Sequence, residues 1–372
     1  MGERTQTVGG LTGYASVTPF RFADSRTGRR ASPLVSGRVQ RIQIAGVAGL
    51  PGSATAVSAN FSVTGQDRQS FLTVYNCTRQ VPIVSTLNFA RGRAYANQAI
   101  VPLDAGGGIC LYTPANAQVV IDVNGTFSAS ATGRLVPYDP RRLIDTRDGS
   151  PVRRGVTRAV GVMNGTLPGA PASATAVLFN VSAVGAAGRG WVRVFPCDQA
   201  GSSAVSTVNF GAGETVANSA MVKLSQTGQV CIQSNTTTDV VLDVTGFITT
   251  TGLRYQPVQP VRLIDSRDPL VGSTPLRAGF LVEFLVAGLG GIPATAQAAS
   301  MNLVAVAPAA RGYMTMWPCR VGNDQPPFVS NLNYPQRRNI SNGVTVGLAA
   351  QAVCLYTRAT SHFVVDVSGV WR

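Results

Sequence analysis

The stretch Pro260-Val-Arg-Leu-Ile-Asp-Ser-Arg267 decides the fold, because the chain contains it three times. Its relatives are Pro140-Arg-Arg-Leu-Ile-Asp-Thr-Arg147 and the more diverged Pro19-Phe-Arg-Phe-Ala-Asp-Ser-Arg26. Asp24 and Asp145 are 121 residues apart and Asp145 and Asp265 are 120 apart, so the motif marks a long internal period. The segments between keep that period. Each copy carries an apolar strand with a central asparagine (Asn60, Asn180, Asn302), then an aromatic strand ending in cysteine (FLTVYNC77, WVRVFPC197, YMTMWPC319). A Ser-x-x-Asn-aromatic segment follows (Asn88, Asn209, Asn333), then a strand around Asn97, Asn218 or Asn342, a second cysteine, and a closing Val-Asp-Val at Asp122, Asp243 or Asp366.

Taken together, these motifs resemble a repeat domain of secreted proteins of actinobacteria and their neighbours, often appended to cell-wall amidases, peptidases and other extracellular hydrolases. The resemblance covers about residues 19–372. It implies an extracellular, non-catalytic accessory or surface domain.

The period divides the chain into an N-terminal arm, flexible or an added strand, at 1–18 and β repeats at 19–133, 134–252 and 253–372. Only 13% of residues are charged, 40 are glycine and 22 proline, and the apolar runs are rich in Val, Ala and Thr. That composition belongs to an all-β protein with many turns. In repeat 2, strands are predicted near 142–147, 158–163, 175–184, 190–197, 204–210, 216–224, 229–234 and 239–247. Val177, Phe179 and Val181 share one face, as do Val240, Leu242 and Val244. About eight short strands per repeat predict three tandem β-sandwich-like units. The joints at 128–136 and 249–257 are short, so the units should pack as a pseudo-threefold cluster or a rigid rod.

Six cysteines fall two per repeat, and their equivalent positions predict one internal disulfide each: Cys77 with Cys110, Cys197 with Cys231, Cys319 with Cys354. Closing loops of that length contributes roughly 3–4 kcal/mol in the chain-entropy model and implies an oxidising compartment. Zinc is the competing reading, but there is no Cys-x-x-Cys and His362 is the single histidine, so no metal is expected. No apolar run reaches the roughly 18–20 residues of a membrane span. The opening MGERTQTVGGLTG has no apolar core of a signal peptide, so Met-Gly reads as an added start on a mature chain. A particle component made in the cytosol is the other reading.

The net charge of +14 comes from 30 arginines and Lys223, spread evenly over the repeats. Without a clustered stripe or a reading element, nucleic-acid binding is not expected. Anionic envelope polymers suit such a surface.

The Arg/Asp/Arg motif reads as a structural ion-pair network: Arg21, Asp24, Arg26 with Asp122; Arg142, Asp145, Arg147 with Asp243; Arg262, Asp265, Arg267 with Asp366. A buried carboxylate needs a cation, and the guanidinium fork satisfies one bidentately. On a flat strand Arg142 would lie opposite Asp145 unless the strand bends. Mid-strand asparagine is disfavoured, so the recurring ones should hydrogen-bond loop backbone or one another inside the sandwich. The sharper reading is a sugar site, for which Trp191, Tyr313, Trp317, Asn209 and Asn333 are the candidate ligand-binding residues. Catalysis is not expected: histidine does not recur, the three glutamates do not recur, and arginine beside each aspartate keeps it ionised. No cofactor is implied. Sequons at Asn60, Asn76, Asn124, Asn164, Asn180, Asn235 and Asn339 read as chance in a Ser/Thr-rich chain. The expected function is non-catalytic extracellular binding of cell-envelope or environmental polysaccharide by three equivalent sites, with avidity. The alternative is a self-assembling subunit of a layer, filament or particle.

Overall fold

The computed structural model describes residues 9–78, 80–199, 205–271, 273–320 and 325–372. Among them there is no α-helix, only two 3-10 turns at Thr146–Asp148 and Pro269–Val271. Repeat 1 forms β1 (Gly13–Asp24), β2 (Val39–Gln43), β3 (Ala56–Thr64), β4 (Ser70–Tyr75), β5 (Leu87–Phe89), β6 (Tyr95–Pro102), β7 (Gly108–Tyr112) and β8 (Gln118–Ser128). Repeat 2 forms β9 (Arg134–Asp145), β10 (Thr157–Gly161), β11 (Ala176–Val184), β12 (Gly190–Pro196), β13 (Val208–Phe210), β14 (Val216–Lys223), β15 (Gln229–Ser234) and β16 (Asp239–Thr249). Repeat 3 forms β17 (Tyr255–Asp265), β18 (Leu281–Leu285), β19 (Ala298–Val306), β20 (Gly312–Pro318), β21 (Leu332–Tyr334), β22 (Ile340–Gly347), β23 (Ala352–Thr357) and β24 (His362–Trp371). The opening strand of each repeat begins before the Arg/Asp/Arg motif, and the described part of the expected arm from Gly13 onward is strand β1.

Each repeat supplies two four-stranded antiparallel sheets, ordered β1-β8-β3-β6 and β2-β7-β4-β5 in repeat 1, with the same orders in the others. The chain crosses repeatedly from one sheet to the other, and the two bury their apolar faces together. In repeat 2, Val177, Phe179 and Val181 meet Val192, Val194, Ile232, Leu242 and Val244 in one core. The expectation of three tandem sandwiches is corrected by how the sheets meet across repeats. β6, β14 and β22 touch pairwise at the centre, while β5 touches β22, β13 touches β6 and β21 touches β14. Each sheet thus meets its own partner on one side and the next repeat on the other. The result is six four-stranded blades about one axis, as in a β-propeller, although strands do not follow chain order within a blade.

The physical reason is burial. The cores of repeats 1 and 3 are one continuous cluster, and a further cluster takes Tyr14, Phe127, Leu135, Leu178, Ile248, Tyr255 and Trp371 from all three repeats. Phe127 lies 4.5 Å from Tyr255 and Tyr255 5.0 Å from Trp371, ring to ring. Backbone bridges Thr12 to Tyr255, Tyr14 to Gly133 and Leu135 to Leu253 tie the opening strands to one another and to the joints. Repeats sharing this much apolar surface gain more by closing on themselves than by standing apart in a row.

At the centre, a Cβ on Gly343 would lie 2.2 Å from the Gln98 carbonyl oxygen and 3.0 Å from Ser219 Oγ, so three strands converge where only glycine fits. Gly343→Ala is expected to cost about 1–3 kcal/mol by overpacking. Calorimetry should show the whole chain melting earlier in a single transition, and an unchanged Tm would contradict the tight centre.

Candidate functional site

The register places an arginine, an aspartate and an asparagine in one row across each inner sheet. Arg21 lies opposite Asp122, and Asp122 opposite Asn60. Arg142, Asp243 and Asn180 repeat the row, as do Arg262, Asp366 and Asn302. A register shift between Arg142 and Ile144 bends β9, so Arg142 reaches both Asp243 and Asp145 at 2.9 Å. Arg147 also pairs with Asp145. Arg21 likewise binds Asp24 and Asp122, with Arg26 on Asp24. Arg262 binds Asp265 and Asp366, with Arg267 on Asp265. Thus all twelve residues of the expected network are brought together, four per repeat.

What the row grips belongs to the next repeat. Asp122 accepts the backbone N–H of Ser206 at 3.4 Å, and Asn60 donates to the Ser206 carbonyl at 2.6 Å. Asp243 and Asn180 hold Ser330 in the same way, and Asp366 and Asn302 hold Ser85. A second asparagine closes each grip: Asn218 donates to Asn60, Asn342 to Asn180 and Asn97 to Asn302, at 2.8–2.9 Å. Their carbonyls accept the N–H groups of Gln98, Ser219 and Gly343. These asparagines bond loop backbone and one another, across repeats as well as inside one: Asn97, Asn218 and Asn342 also donate to the Thr86, Thr207 and Asn331 carbonyls of their own repeat. A cavity of about 60 Å³ at this junction is too small for a sugar ring.

The two carboxylates of each cluster titrate in opposite directions. Hydrogen bonds from Arg26 hold Asp24 down to about 2, and those from Arg147 and Arg267 lower Asp145 and Asp265. Burial pushes Asp122, Asp243 and Asp366 upward, Asp366 to about 6 despite Arg262. Arginine thus outweighs burial at the outer acids, whereas burial outweighs arginine at the inner ones. The inner acids, 0–3% exposed, face the neighbouring loop and not solvent.

The three disulfides join Cys77 to Cys110, Cys197 to Cys231 and Cys319 to Cys354. Among the described residues no cluster of His, Cys, Asp and Glu could hold a metal, and no helix is long and apolar enough to cross a membrane.

The candidate ligand residues gather at the joints, with one exception. Trp191 is opposite Asn209, and both line a cleft of about 300 Å³ with Ala94 of repeat 1 and Asn235. Tyr313 is opposite Asn333, and both line the matching cleft of about 290 Å³ between repeats 2 and 3, with Arg142, Arg147, Thr215 and Phe328. Phe71 opposite Asn88 is the counterpart between repeats 1 and 3, where the Asn88 N–H donates to Ser341 Oγ. Asn209 and Asn333 also donate to Ser206 and Ser330, so each links its cleft to the inter-repeat grip. Trp317 does not belong to a ligand surface: it is 2% exposed, lies opposite Cys354 beside the disulfide, and matches the buried Tyr75 and Phe195. Four residues' spacing puts two rings on one side of a strand but does not say which end is covered. Tyr356 and Arg358 were not singled out from the sequence; Arg358 departs from Pro114 and Asn235 of the other copies, whereas Tyr356 repeats Tyr112 and departs only from Gln233, and Phe328 (97% exposed) closes the insert that sets repeat 3 apart.

No family model and no curated protein matches the chain. Among solved structures, a tandem CBM22-1-CBM22-2 domain of Paenibacillus barcinonensis Xyn10C shares 11% identity at a TM-score of 0.19, covering 67% of this chain and 99% of that one. The triple jelly roll of an archaeal virus turret shares 10% identity at a TM-score of 0.15, covering 96% of this chain and 90% of that one. At such scores neither likeness carries an argument.

Asp366 supplies a measurable pH signature. Its folded value near 6 exceeds the unfolded 3.8, so its stabilising contribution is complete below pH 3.8 and is lost as pH rises through 6. The loss amounts to about 2–3 kcal/mol for such a shift. Asp24 acts oppositely, its contribution being lost only as pH falls through about 2. Asp366→Asn should flatten the slope of unfolding free energy between pH 4 and 7 in denaturant titrations. A slope identical to that of the parent would refute the assignment.

Proposed function

We propose that this chain is a secreted, non-catalytic binding protein that recognises polysaccharide at the clefts between its repeats. The observation that carries the reading is the repeated pairing, at a joint, of a half-buried aromatic ring with an asparagine amide: Trp191 with Asn209 and Tyr313 with Asn333. An aromatic face beside amide and guanidinium donors suits a hydroxyl-rich ring. Resemblance to the secreted actinobacterial repeats and the three disulfides support an extracellular setting. Absence of catalysis is part of the proposal: the recurring carboxylates are all engaged by arginine, and the inner ones are shut away from substrate. Pull-downs with anionic wall polymer, peptidoglycan and plant glycans should retain the protein on at least one. Trp191→Ala together with Tyr313→Ala should weaken retention about tenfold or more, given 1–3 kcal/mol for lost stacking. Protein left wholly in the supernatant by all of them would end the proposal.

The second reading, a self-assembling subunit, has one observation in its favour. β18 is an edge strand, and repeat 3 exposes Phe280, Leu281 and Leu285 along it, where repeat 1 has Arg38, Val39 and Gln43. Exposed apolar edges invite pairing with another chain. Light scattering across a concentration series decides: growth beyond 38.8 kDa that Leu285→Lys abolishes supports assembly, and a constant monomer removes it.

A further inference from the structure

The three joints are not equivalent, and the differences concentrate in repeat 3. Tyr313, at the rim of the cleft between repeats 2 and 3, packs 6.0 Å from Tyr356 on the neighbouring strand. Tyr356 in turn lies opposite Leu281 on β18. An apolar band therefore crosses the outer sheet into the cleft, where the fully exposed Phe328 continues it.

Arg358 stands beside this band. Its backbone N–H donates to the Tyr313 carbonyl at 2.9 Å, and its side chain is exposed and forms no ion pair among the described residues. The charges of Arg358 and of Arg142, from the neighbouring repeat, both bear on the Tyr313 hydroxyl. Repeats 1 and 2 carry Pro114 and Asn235 where repeat 3 has Arg358; Tyr356 has a counterpart in Tyr112 of repeat 1 but is replaced by Gln233 in repeat 2, so the pairing of ring and cation is found in repeat 3 alone. A guanidinium unengaged by acid, whose charge bears on one of two packed tyrosine rings on a chain of net charge +14, complements a ligand that is both flat-faced and anionic.

We propose that the cleft between repeats 2 and 3 takes an acidic polysaccharide, a chain of uronate residues, with Tyr313, Tyr356 and Phe328 against the sugar faces and Arg358 on the carboxylate. This rests on the polysaccharide reading above and adds the charge and the location. The cleft beside Trp191 has Arg189 on its wall but Gln233 in place of the second ring, and repeat 1 has Pro114 in place of Arg358, so neither joins a cation to paired rings in this way and both hold such chains more weakly.

The test titrates the full chain with polygalacturonate and with the same backbone fully methyl-esterified, by calorimetry at low and moderate salt. Polygalacturonate should bind at least about tenfold tighter than the ester and lose affinity with salt, as a charge-assisted contact requires. Arg358→Gln and Tyr356→Ala should each lower affinity by about tenfold. Arg38→Gln, which removes an equal charge far from the cleft on repeat 1, should leave it within twofold. Circular dichroism and melting curves confirm that each variant folds. Equal binding of acid and ester, or an Arg358→Gln variant no weaker than Arg38→Gln, overturns the proposal while leaving glycan binding in place. Binding of neutral polysaccharides alone overturns it as well, and binding of no polysaccharide at all removes both readings.

Discussion

The structure depends on a buried carboxylate whose partners come from two repeats. Asp243 takes Arg142 from its own repeat and the Ser330 N–H from the next. A carboxylate removed from water is tolerated only when its oxygens are satisfied. Since part of that satisfaction comes from the neighbouring repeat, no repeat standing alone could bury its acid on these terms. The grip runs from repeat 1 to 2, from 2 to 3 and from 3 back to 1. Three copies close that cycle, which gives triplication a structural cause independent of any ligand.

The same constraint explains which parts of the architecture were legible in the sequence. The eight strands of repeat 2, the row of Arg142, Asp145, Arg147 and Asp243, and the cysteine pairs all obey rules internal to one copy: alternation, charge pairing and equivalent position. The asparagines obey a rule between copies as well as one within each. Asn60 and Asn218 are 158 residues apart, and in a triplicated chain a contact within a repeat and one with the next copy leave the same periodic trace. Periodicity therefore could not tell a closed ring of blades from three units in tandem. The pKa split was hidden for a related reason, because burial of Asp366 depends on the Ser85 loop, 281 residues away, lying across it.

The candidate site was legible in part. Tyr313, Asn333, Trp191 and Asn209 do collect at the joints, since cross-strand pairing follows from local register. Trp317 was misplaced because alternation reports side and not cover. Arg358 escaped because attention to what recurs passes over what does not.

That last point has a physical basis. Residues that build the shared frame face identical surroundings in every copy and are held to one chemistry; Arg21, Arg142 and Arg262 illustrate it. Outward positions carry no such constraint, so Arg358 can stand where the other copies have Pro114 and Asn235. A frame closed by the buried grips also keeps Tyr313 and Arg142, from different repeats, at one separation. A rigid cleft loses little conformational entropy when it takes a ligand, and for a weak polysaccharide contact that saving is a large share of the affinity. The proposed recognition thus draws on the rigidity that the buried carboxylates impose, although these are shut away from the clefts.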